Sequence, residues 1–87
     1  MKFNKTYFSR EGSYWLGVEA DSGRNYLGIP ISNAMVDYIE YYWIDADQYE
    51  LFSNNHERAF EFAEACRRRE NDDLLVYTPG TDRGTPR

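Results

Sequence analysis

Two stretches between Ser13 and Ile31 alternate apolar and polar residues with a period of two, a third stretch rich in strand-forming residues follows to Ile44, and turn chemistry separates the three. That rhythm sends successive side chains to opposite faces of a sheet and leaves few alternatives to an antiparallel meander. From Ser13 to Ala20, Tyr14, Leu16, Val18 and Ala20 share one face, with Ser13, Trp15, Gly17 and Glu19 on the other. Asp21-Ser22-Gly23-Arg24 supplies a turn in which Gly23 can take positive φ. Alternation resumes through Leu27, Ile29 and Ile31. Asn33-Ala34 reads as the next tight loop, and Met35 to Ile44, rich in Val, Ile, Tyr and Trp, as a third strand.

Two-residue loops at Ser22-Gly23 and Asn33-Ala34 set Leu16 opposite Ile29, Val18 opposite Leu27, Ile31 opposite Val36 and Ile29 opposite Tyr38. All of these fall on one face, which makes a coherent core together with Tyr42, Ile44 and, awkwardly, Glu40. The opposite face carries Trp15, Glu19, Tyr26, Asp37, Ile39, Tyr41 and Trp43. Pro30 cannot donate to a ladder, so a bulge or break is expected beside it.

The period then changes. Asp45 and Gln48 have the spacing of a capping box, which predicts a short helix over Ala46 to Phe52. Asn54 and Glu57 repeat the signal before a longer helix in which Ala59, Phe62, Ala63 and Cys66 recur at helical spacing. Glu57, Glu61 and Glu64 lie toward its N-terminus and Arg67, Arg68 and Arg69 at its end, the polarity the helix dipole favours. This helix is expected to lie across the apolar sheet face with Phe62 innermost. Leu74 to Tyr77 reads as a returning fourth strand, and the Pro- and Gly-rich residues 79–87 as a mobile tail. The expected fold is α+β: a three- to four-stranded antiparallel meander, one main C-terminal helix on one face and a short helix before it, in a single domain over residues 1–78.

At 87 residues the chain buries one core and has little room for a deep catalytic cleft. Cys66 is the only cysteine, which rules out an intrachain disulfide and a thiolate metal cluster, and it reads as a small buried hydrophobe. His56-Glu57 begins like a zinc-protease helix, but Phe60 stands where the second histidine is needed. The terminal GTDRG lacks the lysine and following helix of a phosphate loop. Neither an enzyme active site, a metal site nor a cofactor is expected. No apolar run has the length of a signal peptide or a membrane span, so the chain reads as cytoplasmic.

Charge is unevenly placed. Residues 1–36 sum to +1, residues 37–64 to −7 and residues 65–87 to +1, so one third of the chain holds all the excess negative charge. Such a field repels phosphate and attracts basic proteins. Within it, DYIEYYWIDADQYE (37–50) interleaves five acids with five aromatics and has no basic residue. Tyr and Trp supply contact area at low entropy cost, and acids between them pair with Lys and Arg of a partner. The same stretch can equally be an amphipathic strand whose polar side is merely solvated.

With YLGIPISNAMVDYIEYYWID (26–45) and FAEACRRRENDDLLVYTPG (62–80) in view, the chain resembles the small immunity proteins that bacteria encode beside polymorphic toxins, in particular those of contact-dependent growth inhibition. The resemblance is one of type over roughly residues 26–80 and carries no residue-specific signature. It implies a stoichiometric inhibitor that masks a cognate toxin domain, often a basic RNase or DNase. The interface would use Asp37, Tyr41, Trp43, Asp45, Asp47, Tyr49 and Glu50, with the chain a monomer or weak homodimer that makes no direct contact with nucleic acid or membrane. Two alternatives stay open. One is a phage-type nucleic-acid mimic that blocks DNA-binding enzymes. The other is a homodimeric structural or regulatory module in which Trp15, Tyr41 and Trp43 pack on a second copy.

Overall fold

The computed structural model describes residues 2–32, 37–77 and 85–86. Strands β1 (Phe3–Ser9), β2 (Tyr14–Glu19), β3 (Asn25–Ser32) and β4 (Asp37–Ile44) form an antiparallel meander in sequence order. Helices α1 (Ala46–Asn54) and α2 (His56–Arg67) follow, and a 3-10 turn over Asp72–Leu74 leads to Leu75, which bridges to Tyr42. The fold is the expected α+β arrangement, but its fourth strand comes from the N-terminus. Leu74 to Tyr77 contributes only that bridge and one bond from Val76 N to Tyr41 O, at 2.9 Å. Most of the expected tail lies outside the described residues; within it, β5 (Thr85–Pro86) pairs with β3 at Ser32 and Ile31. Among the described residues no helix is long and apolar enough to cross a membrane.

Both hairpin registers differ from the expected ones by two residues. Leu16 faces Leu27, Val18 faces Asn25, Ile29 faces Glu40 and Ile31 faces Tyr38. The cause at the first hairpin is Glu19. Its buried carboxylate accepts from Asp21 N (2.8 Å), Ser22 N (3.0 Å), Ser22 Oγ (2.7 Å) and Lys2 N (3.3 Å). Those bonds hold a four-residue loop, Ala20 to Gly23, closed by Glu19 N to Arg24 O at 2.8 Å, with Gly23 at φ 72°. Periodicity does not see a side chain that competes for backbone donors. The second loop, 33–36, with the expected Asn33-Ala34 turn, lies outside the described residues, but the Ser32–Asp37 pair brackets it. A shift of two keeps every side chain on its face, so the core assignment survives the register error.

No bulge occurs at Pro30: the β3–β4 ladder runs through the Pro30–Ile39 pair without a shift. The interruption falls on the other side, where β2 stops pairing at Trp15–Gly28, two residues earlier. Proline is tolerated there because it falls between two ladders on that side, after the last β2 pair at Gly28 and before the β5 pair at Ile31. The bulge of this sheet lies in β1, between Lys5 and Tyr7, and it breaks the alternation that would have revealed that strand.

The core joins Leu16, Leu27, Ile29, Ile31, Tyr42 and Ile44 of the sheet to Phe52, Ala59, Ala63 and Cys66 of the helices. Phe62 is not innermost. Ala59, Ala63 and Cys66 are fully buried, while Phe62 sits at the margin against Phe52, with ring centroids 5.2 Å apart. Small residues on the contact stripe let α2 sit close to the sheet. Helix α1 starts at the expected Asp45–Gln48 capping box and runs two residues past Phe52. Helix α2 is capped by Asn55, one residue beyond the expected Asn54, with its side chain accepting from Arg58 N. Glu40 is buried on the core face, where Tyr42 Oη donates to it at 2.8 Å. That bond makes a carboxylate tolerable in this position.

Candidate interaction surface

The sheet has two unlike faces. The helices cover one. The helix-free face is layered with aromatics, and two of its glycines explain the layering. A Cβ on Gly28 would come within 2.8 Å of Trp15 Nε1, and one on Gly17 within 2.5 Å of Tyr26 Oη. Each aromatic therefore lies over the glycine directly across the ladder, since Trp15 pairs with Gly28 and Tyr26 with Gly17. Lys5 Nζ sits 4.4 Å from the centre of the Trp15 ring. Phe3 stacks on Tyr41 at 3.8 Å and meets Tyr26 edge-on at 5.1 Å. In consequence Trp15 is 4 % and Tyr26 0 % exposed although no helix covers them. Burial pushes the Tyr26 hydroxyl up to about 12; the neighbouring Trp15 N–H draws it slightly back, though the two miss hydrogen-bond geometry. Trp15 thus offers almost no surface to a second copy of the chain.

The residues assigned to an interface from sequence do not form one patch. Asp37, Tyr41 and Trp43 point to the helix-free side of β4. Asp37 is exposed and accepts from Ser32 Oγ at 2.9 Å. Tyr41 is half-buried under Phe3, and burial raises its hydroxyl. Trp43 already carries a cation of its own chain, with the Arg24 guanidinium 4.0 Å from its ring centre. Trp43, Arg24, Asp45 and Gln48 line a shallow hollow of ≈ 380 Å³ at the end of β4. Asp45 is exposed but structurally committed, accepting from Gln48 N at 2.7 Å as the N-cap of α1. Tyr49 faces inward and is joined to Thr6 Oγ1 through its hydroxyl, so it ties α1 to β1.

Asp47 and Glu50 are free of such duties. They stand one turn apart, exposed on the outer side of α1. The acidic surface continues on α2 through the exposed Glu57 and Glu61; Arg58, 3.7 Å from Glu61, is the one cation between residues 37 and 64. Glu64 is half-buried and pairs with Arg67 at 2.6 Å. The outward side of the helical layer is therefore a carboxylate ridge drawn from both helices. Among the described residues no group of three or more His, Cys, Asp or Glu side chains is placed to hold a metal ion.

A second concavity was not legible from the sequence. It is a groove of ≈ 710 Å³ where the end of β1 and the β1–β2 turn meet the start of α2. Phe8 and Phe60 stand at it, 54 % and 44 % exposed. The available signal was Phe60 itself, a large apolar residue on the polar side of an amphipathic helix, but it gains meaning only once β1 is recognised. His56 belongs to the same region and is bonded to Tyr7 Oη through Nδ1 at 2.9 Å.

Compared with protein-family models, with curated proteins and with solved structures, the chain finds no match.

Proposed function

We propose that this chain is a non-catalytic binding protein of the immunity type, which captures a basic partner domain in a stoichiometric complex. The observation that carries this reading is the carboxylate ridge of Asp47, Glu50, Glu57 and Glu61, exposed on the outer side of α1 and α2, with Arg58 the one Lys or Arg in residues 37–64. Such a field accelerates encounter with a positive surface and penalises acidic competitors. Helices that are docked by a buried stripe present those charges without further ordering cost. The resemblance to toxin-neutralising immunity proteins supplies the class of partner, a basic nuclease domain encoded beside this gene. The complex leaves both proteins chemically unchanged.

The test is co-expression and titration calorimetry with the domain encoded by the adjacent coding sequence. Protection of the host and a one-to-one complex are expected. The double variant Asp47→Lys, Glu50→Lys should slow association and reduce its dependence on salt. Asp45 is unsuitable for this purpose, because its reversal removes the α1 cap and confounds folding with binding. Absence of any complex, or unchanged association kinetics in the folded double variant, overturns the reading. Equal competition with DNA for several unrelated DNA-binding enzymes would favour a nucleic-acid mimic instead.

A further inference from the structure

We infer that the groove between Phe8 and Phe60 is a receptor for a cationic side chain, foremost an arginine, on the surface of the basic partner; the choice of partner rests on the reading above. The groove is walled by aromatic rings. Tyr7 and Tyr14 have centroids 6.4 Å apart, and Phe8 and Phe60 complete the set on either side. Tyr14 is 1 % exposed, and its hydroxyl is buried with no partner in hydrogen-bond geometry. Glu11 and Glu57 line the same space, and neither is ion-paired among the described residues. Aromatic faces attract a desolvating cation through their quadrupoles, and a guanidinium also stacks on them. Two carboxylates then supply the charge-assisted hydrogen bonds that a bare aromatic box lacks.

The volume fits such an occupant. A groove of ≈ 710 Å³ is in the range that holds a ligand or an inserted side chain. Glu57 also joins it to the acidic ridge, since it lies in the first turn of α2, ahead of Glu61 on the same helix. A partner steered to the ridge is thereby brought to the groove. Two groups of opposite tendency face the same space. Arg10 lines it and carries a positive charge, and His56 lines it while bonded to Tyr7. Arg10 therefore works against a cationic occupant and would favour an anionic one, which gives the proposal a test by sign.

The experiment uses the full chain and N-acetyl-arginine amide, whose only charge is the guanidinium, followed by NMR. Saturable shifts are expected at Tyr7, Phe8, His56 and Phe60, with none from N-acetyl-glutamine amide. Phe60→Ala should weaken binding roughly two- to fivefold, the range for an exposed cation–π contact, and Glu57→Gln by up to about fivefold, the range for an exposed ion pair. Arg10→Ala should leave it unchanged or tighten it. Phe60 and Glu57 are exposed, so both variants should fold, which a urea titration verifies. No saturable shift at these residues, an equal response to the glutamine amide, or weakening by Arg10→Ala overturns the inference. The two readings fail separately. Saturation of the groove supports this site even where the neighbouring domain does not bind. A neighbouring domain that binds with full affinity to Phe60→Ala removes the groove and leaves the ridge.

Discussion

The indole of Trp15 occupies the space that a Cβ on Gly28 would need, with three of its ring atoms within 3.2 Å of that position. Two rungs along the ladder the same relation holds in reverse, with Tyr26 over Gly17. Large rings buried against bare backbone replace the missing helix layer on this side, and both glycines are fixed by contact, with no call on their freedom in φ.

Alanine at either glycine should therefore destabilise the fold. Gly28→Ala meets a side chain and not backbone, and about 1–3 kcal/mol is expected. At Gly17 the new methyl would lie 2.2 Å from the backbone oxygen of Asn4, so β1 itself must shift, and the larger loss is expected there. Urea midpoints of the two variants check the order, which reverses if side-chain displacement dominates.

Stability should fall in acid through Glu19. The backbone N–H of Asp21 first, and the Ser22 hydroxyl next, hold the carboxyl at about 2 in the folded state against an ordinary 4.5. A depressed folded value means that the contribution is complete above pH 4.5, declines between 4.5 and 2, and is gone below 2. Unfolding midpoints measured from pH 7 to pH 2 should show this slope, and Glu19→Gln should reduce it while lowering stability at neutral pH.

Arg67 anchors the end of α2 to the β1–β2 turn. It pairs with Glu64 at 2.6 Å, donates to Gly12 O at 2.7 Å and also reaches Ser13 O, and its side chain is only 13 % exposed. Arg67→Ala should cost about 2–3 kcal/mol, since charge-assisted bonds are lost and two turn carbonyls lose a donor. Lysine should restore only part of this, because it lacks the planar fork that spans three acceptors. Thermal unfolding of the two variants separates the charge from the geometry.

Cys66 should be inert in the native protein. Burial pushes its thiol up to about 12, and its sulfur is wedged at the helix–sheet contact with Asn71 Nδ2 at 3.6 Å. A thiol reagent at pH 8 should label it only at the rate of unfolding. Rapid labelling without denaturant would mean that α2 opens locally.

How far the sequence carries can be seen in particular residues. Leu16, Leu27, Ile29 and Tyr42 were placed on the correct face by alternation alone, because a face is insensitive to a two-residue slip. Across the first hairpin the partners of Leu16 and Leu27 differ from those expected because Glu19 builds a loop from side-chain bonds. Strand β1 escaped because the bulge beside Thr6 disrupts its period. Of the seven proposed interface residues, Asp47 and Glu50 stand free and exposed. Tyr49 and Asp45 carry structural bonds that composition cannot reveal. Trp43 is met by Arg24, nineteen positions away in sequence and brought beside it by the β3–β4 register.

The meander also has a consequence for the order of events during synthesis. Strands β2, β3 and β4 each pair with the one made just before, so the three ladders of the meander wait for no distant segment and loop-closure cost stays small. The sheet can zip hairpin by hairpin, and Leu16, Leu27, Ile29 and Ile31 then face water until α2 delivers Ala59, Ala63 and Cys66. The 21 residues between Ile44 and Cys66 take ~1–4 s to synthesise at typical rates, and that interval is when the nascent chain is most open to aggregation or to a chaperone.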